Sequence, residues 1–194
     1  MSNYTGTVME LLYASTAVGT AKASFTSEAQ INDTAGMGVQ ARIPADFWLP
    51  NNAQLGRGLL IKARGILSST GTPTFTPTIR LGTAGSTSGP IILGGAALTT
   101  VSGAANAPFE IEGEIVLTAK GADGANSTLR GIGRILSPGL ATSYAALWGG
   151  AASPGVVATV DTSINNYINV NVACSASSAS NTITLQQLLV YGLN

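Results

Sequence analysis

The sequence predicts an all-β fold: an antiparallel β-sandwich, jelly-roll-like, with about eight strands. Three observations predict it. Apolar and polar residues alternate with period two in short runs bounded by Gly, Ser, Asn and Pro. Thr is abundant inside those runs, as a pleated, half-buried surface favours. No stretch carries a long apolar stripe of helical period with caps at its ends. Half-apolar sheets bury their inner faces on each other, and a sandwich follows.

"TVMELLYAS" predicts a first strand, with weaker strand signals in "FTSEAQIND" and "VQARIPADFW". Residues 1–31 are expected to be either that first strand or an arm that pairs with a neighbour's sheet edge. Residues 32–194 are expected to form one sandwich domain. "GLLIKARGIL" places Leu59, Ile61 and Ala63 on one face and Leu60, Lys62 and Arg64 on the other. "TFTPTIRL" sets Phe75, Pro77, Ile79 and Leu81 against Thr74, Thr76, Thr78 and Arg80. Pro77 has no N–H to donate, so this strand is expected at an edge or with a bulge. "SSTGTPT" joins the two as a hairpin turn, with Gly71 free to adopt positive φ and Pro73 fixing the exit.

"PFEIEGEIVLTAKG" is the clearest strand, with Phe109, Ile111, Ile115 and Leu117 inward and Glu110, Glu112 and Glu114 outward. "KGADGANS" is turn-rich, and "TLRGIGRIL" follows as its partner. Charge matching predicts Glu114 opposite Arg130 and Glu110 opposite Arg134. "YINVNVACSA" points Ile168, Val170, Val172 and Cys174 inward. "NTITLQQLLVYGL" does the same with Ile183, Leu185 and Leu189. "SASSASN" is expected to close these two into a final hairpin. Two long connections, Gly82–Ala107 and Pro138–Asn166, hold Ile91, Ile92, Leu93, Leu98, Leu140, Tyr144, Leu147 and Trp148. Part of that apolar content must be buried by the core or by a neighbour.

Composition narrows the chemistry. Charged residues are 9% of 194, and nine basic residues cancel nine acidic ones. No basic field exists to attract nucleic acid. So little charge protects a monomer poorly, which points to a surface covered in an assembly. The charge-free windows Leu81–Phe109, Ile135–Val160 and Thr162–Asn194 are too interrupted to be apolar spans, so no membrane partner is expected. The N-terminus shows no basic region followed by an apolar run, so no secretory signal is expected. The triplets at Asn3, Asn32 and Asn126 are then chance matches to a glycosylation motif.

With no histidine and one cysteine, a zinc site and a Ser-His-Asp arrangement are excluded. Cys174 reads as a small core residue rather than a nucleophile. Glu110, Glu112 and Glu114 have the spacing of a glycosidase or calcium site, but no aromatic accompanies them in the sequence, and they read as a solvated strand face neutralised by Arg130 and Arg134. Asp123 and Asp161 read as turn residues. "RLGTAGSTSGP" lacks a Gly-Lys-Ser/Thr ending, and Gly131 and Gly133 lack a third glycine, so no phosphate loop is present. Trp48 reads as core; Trp148 reads equally as core or as an interface anchor. No catalytic, cofactor-binding or metal-binding residue is assigned, and no cofactor is expected.

The succession "LYAST…GT", "IPADFW", "GRGLLIKARGILSSTGTPTFTPTIRLG", "FEIEGEIVLTAKGADGANSTLRGIGRI" and "INVNVACSASSASNTITLQQLLVYGLN" resembles a group of virion structural proteins of tailed bacteriophages. The resemblance covers nearly the whole chain and lies in strand layout and composition. It implies a single jelly-roll or β-sandwich domain without enzymatic activity, often a homotrimer, attached to the major capsid protein on the capsid exterior. A tail or head-fibre base protein of the same fold is an alternative, and a carbohydrate-binding module is another. The last would present exposed aromatics, with Tyr144, Trp148 and Tyr167 as the residues to inspect.

Overall fold

A computed structural model describes residues 9–48, 57–85, 87–121, 126–150 and 156–193. The fold is all-β and antiparallel. Its strands are β1 (Met9–Ala14), β2 (Lys22–Ala23), β3 (Ala29–Gln30), β4 (Arg42–Ile43), β5 (Gly58–Ser68), β6 (Thr74–Gly82), β7 (Ile91–Gly94), β8 (Leu98–Thr99), β9 (Ala107–Ala119), β10 (Ser127–Leu136), β11 (Tyr144–Trp148), β12 (Val156–Val160), β13 (Asn166–Cys174) and β14 (Thr182–Leu193). One helical turn, α1 (Thr34–Met37), is capped by the Asp33 side chain, which accepts from the Gly36 N–H. A 3-10 turn covers Ala45–Trp48. Among the described residues fourteen strands replace the expected eight or so, because the two long connections carry β7, β8, β11 and β12 and the N-terminal segment carries four short strands. The core takes Ile92, Leu93, Leu140 and Leu147 from those connections.

The strands pair in the order β1-β14-β5-β9-β10-β11-β7-β6-β13-β3. The ribbon folds back through β11 and β7, which meet at a single Trp148–Gly94 pair. Inward residues of β5, β9 and β14 then share one core with those of β6 and β13. At the fold-back β7 crosses close over β10. A Cβ on Gly131 would stand 1.9 Å from the Ile92 carbonyl oxygen, so this crossing requires glycine.

β9 and β10 pair as expected, but the other two expected hairpins are arches instead. β5 pairs with β14 and β9, whereas β6 pairs with β13, β7 and β8. "SSTGTPT" therefore carries the chain from one layer to the other, with Gly71 at φ 66°. The β13–β14 connection makes the same crossing, so the arches lie side by side: β5 on β14 in one layer and β6 on β13 in the other. Pro77 is accommodated where the second neighbour of β6 changes from β7 to β8, not at a sheet edge. Leu189 faces outward because β14 shifts register between Leu185 and Gln187, which turns Leu188 and Val190 inward. Phe75, Ile79, Leu81, Phe109, Ile111, Ile115, Leu117, Ile168, Val170, Val172, Cys174, Ile183 and Leu185 are buried as expected.

The N-terminal segment closes the open side of the sandwich. β1 and β2 pair with β14, and β3 and β4 pair with β13, so residues 9–43 bridge both layers. A polar layer fixes this clasp. Arg80 Nε and Nη2 donate to the two Glu28 oxygens at 2.7 and 2.8 Å, and Thr78 donates to Glu28 at 2.5 Å. Buried Asn32 donates to the Ile168 carbonyl at 2.8 Å and accepts from the Val170 N–H at 2.9 Å. Burial alone would raise the Glu28 carboxyl, but the hydrogen bonds from Arg80 and Thr78 and the Arg80 charge hold it below its ordinary value. Lys22 pairs with Asp33 inside the clasp. Residues 1–8 of the expected arm lie outside the described residues, as does Asp123.

Candidate functional site

The outer face of β1-β14-β5-β9-β10-β11 gathers most of the charged residues singled out in the sequence. Directly opposed residues share a face, so the ladder registers define rows across it. One row runs Leu11, Tyr191, Leu60, Glu114, Ile132, Trp148. The next runs Leu189, Lys62, Glu112, Arg134, Ala146, and the third Gln187, Arg64, Glu110, Leu136, Tyr144.

Charges meet along the middle of these rows. Lys62 Nζ lies 3.1 Å from Glu112, Arg134 lies 3.6 Å from the other Glu112 oxygen, and Arg64 Nε donates to Glu110 at 2.8 Å. Arg64 also donates to Gln187 at 3.2 Å. Glu110 and Glu112 are thus neutralised, chiefly by β5 rather than by β10. The expected Glu114–Arg130 and Glu110–Arg134 pairs do not form: Arg130 stands opposite Val116, and Arg134 opposite Glu112. Lys62 and Arg64 already face the acids from the other side, so exposed pairs with β10, each contributing about 0.2–1 kcal/mol, exert little pull on register. Glu114 has no ion-pair partner among the described residues.

Apolar groups flank this charged centre. At one corner, Leu60, Tyr191 and Leu11 lie in a row beside the Leu193–Met9 pair, and Met9 and Leu11 are both more than half exposed on the outermost strand. At the other side, Ile132, Leu136 and Tyr144 are exposed. An open groove of about 350 Å³ lies between Glu112, Glu114, Ile132, Arg134 and Tyr144, with the Gly113 and Gly133 backbone at its base. A second groove of about 400 Å³ adjoins Arg64, Glu110, Leu136, Pro138 and Gln186.

An aromatic therefore does accompany the acids, because β11 brings Tyr144 beside them. The signal was present in "YAALW", whose Leu147 is inward while Tyr144 and Trp148 share the opposite face, but five residues between Ser and Gly read as loop. Trp148 is half-buried, Tyr167 is half-buried on β13, and Trp48 is core at 2% exposed. Cys174 is buried and donates to the Ala176 carbonyl. Asp161 accepts from the Ser163 N–H and hydroxyl, which hold its carboxyl below the ordinary range. Among the described residues, no three His, Cys, Asp or Glu side chains converge as a metal site, and no helix is long and apolar enough to cross a membrane.

No protein-family model matches the chain, and no curated protein matches it in sequence. A solved structure, the CBM2 module of the evolved Dit of Lactobacillus casei BL23 phage J-1, aligns over 98% of this chain and 98% of its own at 11% identity and a TM-score of 0.34. A likeness at that level bears on neither the fold nor the function of this chain.

Proposed function

We propose that the chain is a non-enzymatic structural protein of a tailed-phage virion. It binds the capsid exterior through the major capsid protein and joins copies of itself, as a homotrimer, by symmetric contacts. The observation that carries this reading is the apolar corner at Met9, Leu11, Tyr191, Leu193 and Leu60, which ends on the side of β1 that pairs with no strand among the described residues. An apolar edge strand invites pairing with another chain unless something covers it. Glu10 is the one charge on β1, and Lys62, Arg64, Glu110, Glu112 and Arg134 are held in ion pairs elsewhere on the face. In a closed ring, each copy's edge would rest on its neighbour, and repeated modest contacts would bind the shell by avidity.

Size-exclusion chromatography with light scattering tests the self-association. The wild-type chain is expected to run as a trimer, and Leu11→Lys as a monomer of unchanged melting temperature. A wild-type monomer at high concentration would end the reading. Electron microscopy of labelled virions tests the address: density over the shell supports decoration, and density confined to the tail assigns the chain there instead.

A further inference from the structure

We propose that the groove between Glu112, Glu114, Ile132, Arg134 and Tyr144 binds a neutral pyranose chain. The groove lies on the same face as the apolar corner, farther from β1, and the inference does not rest on the virion reading. A pyranose has an apolar C–H face and a rim of hydroxyls, and the groove offers a match for each. Tyr144, 53% exposed, offers its ring to the C–H face of one sugar, and Ile132, also 53% exposed and two rows along, offers apolar contact to another. Ionised carboxylates accept from hydroxyls, and a guanidinium donates to hydroxyl oxygens. Glu112 is preoriented between Lys62 and Arg134, while Glu114 has its acceptor capacity unengaged among the described residues.

Charge selects the ligand class. Glu112 and Glu114 in the groove are balanced by Arg134 and by Lys62 behind it, leaving no net field to favour an anion or a cation. Length selects a chain over a single ring. From Glu114 to Glu110 the strand advances about 13–14 Å, and the second groove, at Glu110, Leu136 and Pro138, lies farther along the same two strands.

Cellohexaose, chitohexaose and maltohexaose would each be titrated into the 15N-labelled full chain, followed by amide shifts and calorimetry. At least one is expected to bind, moving the amides of residues 112–114, 132–134 and 144. Tyr144→Ala is expected to weaken that binding about tenfold or more, and Glu114→Gln about three- to tenfold. Both positions are exposed, so both variants should fold; unchanged amide spectra away from the groove verify this. Leu11→Lys should bind sugar as the wild type does, which separates failure of this site from failure of the assembly reading. Absence of any shift at 10 mM sugar (about the weakest binding worth calling a site), or binding that survives Tyr144→Ala, would overturn the proposal.

Discussion

Replacing Arg80 with Met should loosen the clasp that closes the sandwich, and the size of the effect follows from the pair it breaks. The Arg80 and Glu28 side chains are 17% and 22% exposed, and two hydrogen bonds join them. Exposed pairs contribute about 0.2–1 kcal/mol, whereas removing one partner of a buried pair costs about 3–5 kcal/mol. This pair lies nearer the buried limit, and Arg80 also loses its bond to the Gly89 carbonyl. A loss of about 2–3 kcal/mol at pH 7 is expected, read by urea unfolding with tryptophan fluorescence. Acid should narrow the gap. The folded pKa of Glu28 lies below its ordinary value, so its contribution is complete above the ordinary carboxylate range and fades as pH falls through that range towards the folded pKa. Without Arg80, burial becomes the governing influence on Glu28 and raises its pKa, so the variant gains relative stability as pH falls. Glu28→Gln with Arg80→Met should recover part of the loss. A loss below about 0.5 kcal/mol at pH 7, or a gap of the same size at pH 4, would refute the ion pair as the anchor of the clasp.

Other substitutions probe other joints. Gly131→Ala places a Cβ against the Ile92 carbonyl and should cost more than about 3 kcal/mol or abolish soluble expression, while Gly71→Ala, in open space at φ 66°, should cost about 1–2 kcal/mol; equal effects would contradict the close crossing of β7. Leu188→Ala should lower stability by about 2–5 kcal/mol and Leu189→Ala by much less, and the reverse order in chemical denaturation would place the β14 bulge elsewhere. Cys174 should resist a thiol reagent such as dithionitrobenzoate in the native chain and react on unfolding; rapid native labelling would show that β13 opens.

Alternation made the inward side of β5, β6, β9 and β13 readable, because a half-buried strand carries its orientation in every second residue. It misread β14 where the period breaks. "TLQQLLVY" holds two adjacent Gln followed by two adjacent Leu, a doubled pair of each kind, which a strict period of two cannot contain. That doubling is the mark of a bulge, and the structure puts the register shift between Leu185 and Gln187. The candidate groove was half legible. Glu112 and Glu114 declared an acidic face, but Tyr144 reaches it through a strand of only five residues, too short to show alternation clearly, that turns back onto β10.

The two arches expose a deeper limit. Gly71 at positive φ and Pro73 serve a tight turn equally well whether the flanking strands pair or part. Local chemistry bends the chain; partner choice depends on what else offers an edge. β5 finds a longer partner on each side, eleven paired positions with β14 and ten with β9, so β6 has no place beside it. β6 crosses to the other layer and takes β13, which leaves β14 and β13 each with one uncovered edge on the same side of the molecule. Two open edges side by side are a template for unwanted pairing. The segment from Met9 to Ile43 meets that need by pairing with both, although β2, β3 and β4 are only two residues long. Strands so short hold weakly by ladder bonds alone, which is why Glu28–Arg80, Asn32 and Lys22–Asp33 gather there. β1, six residues long, covers β14 and becomes the new edge. The arches thus displace the edge problem outward, from β14 to Met9 and Leu11 on β1.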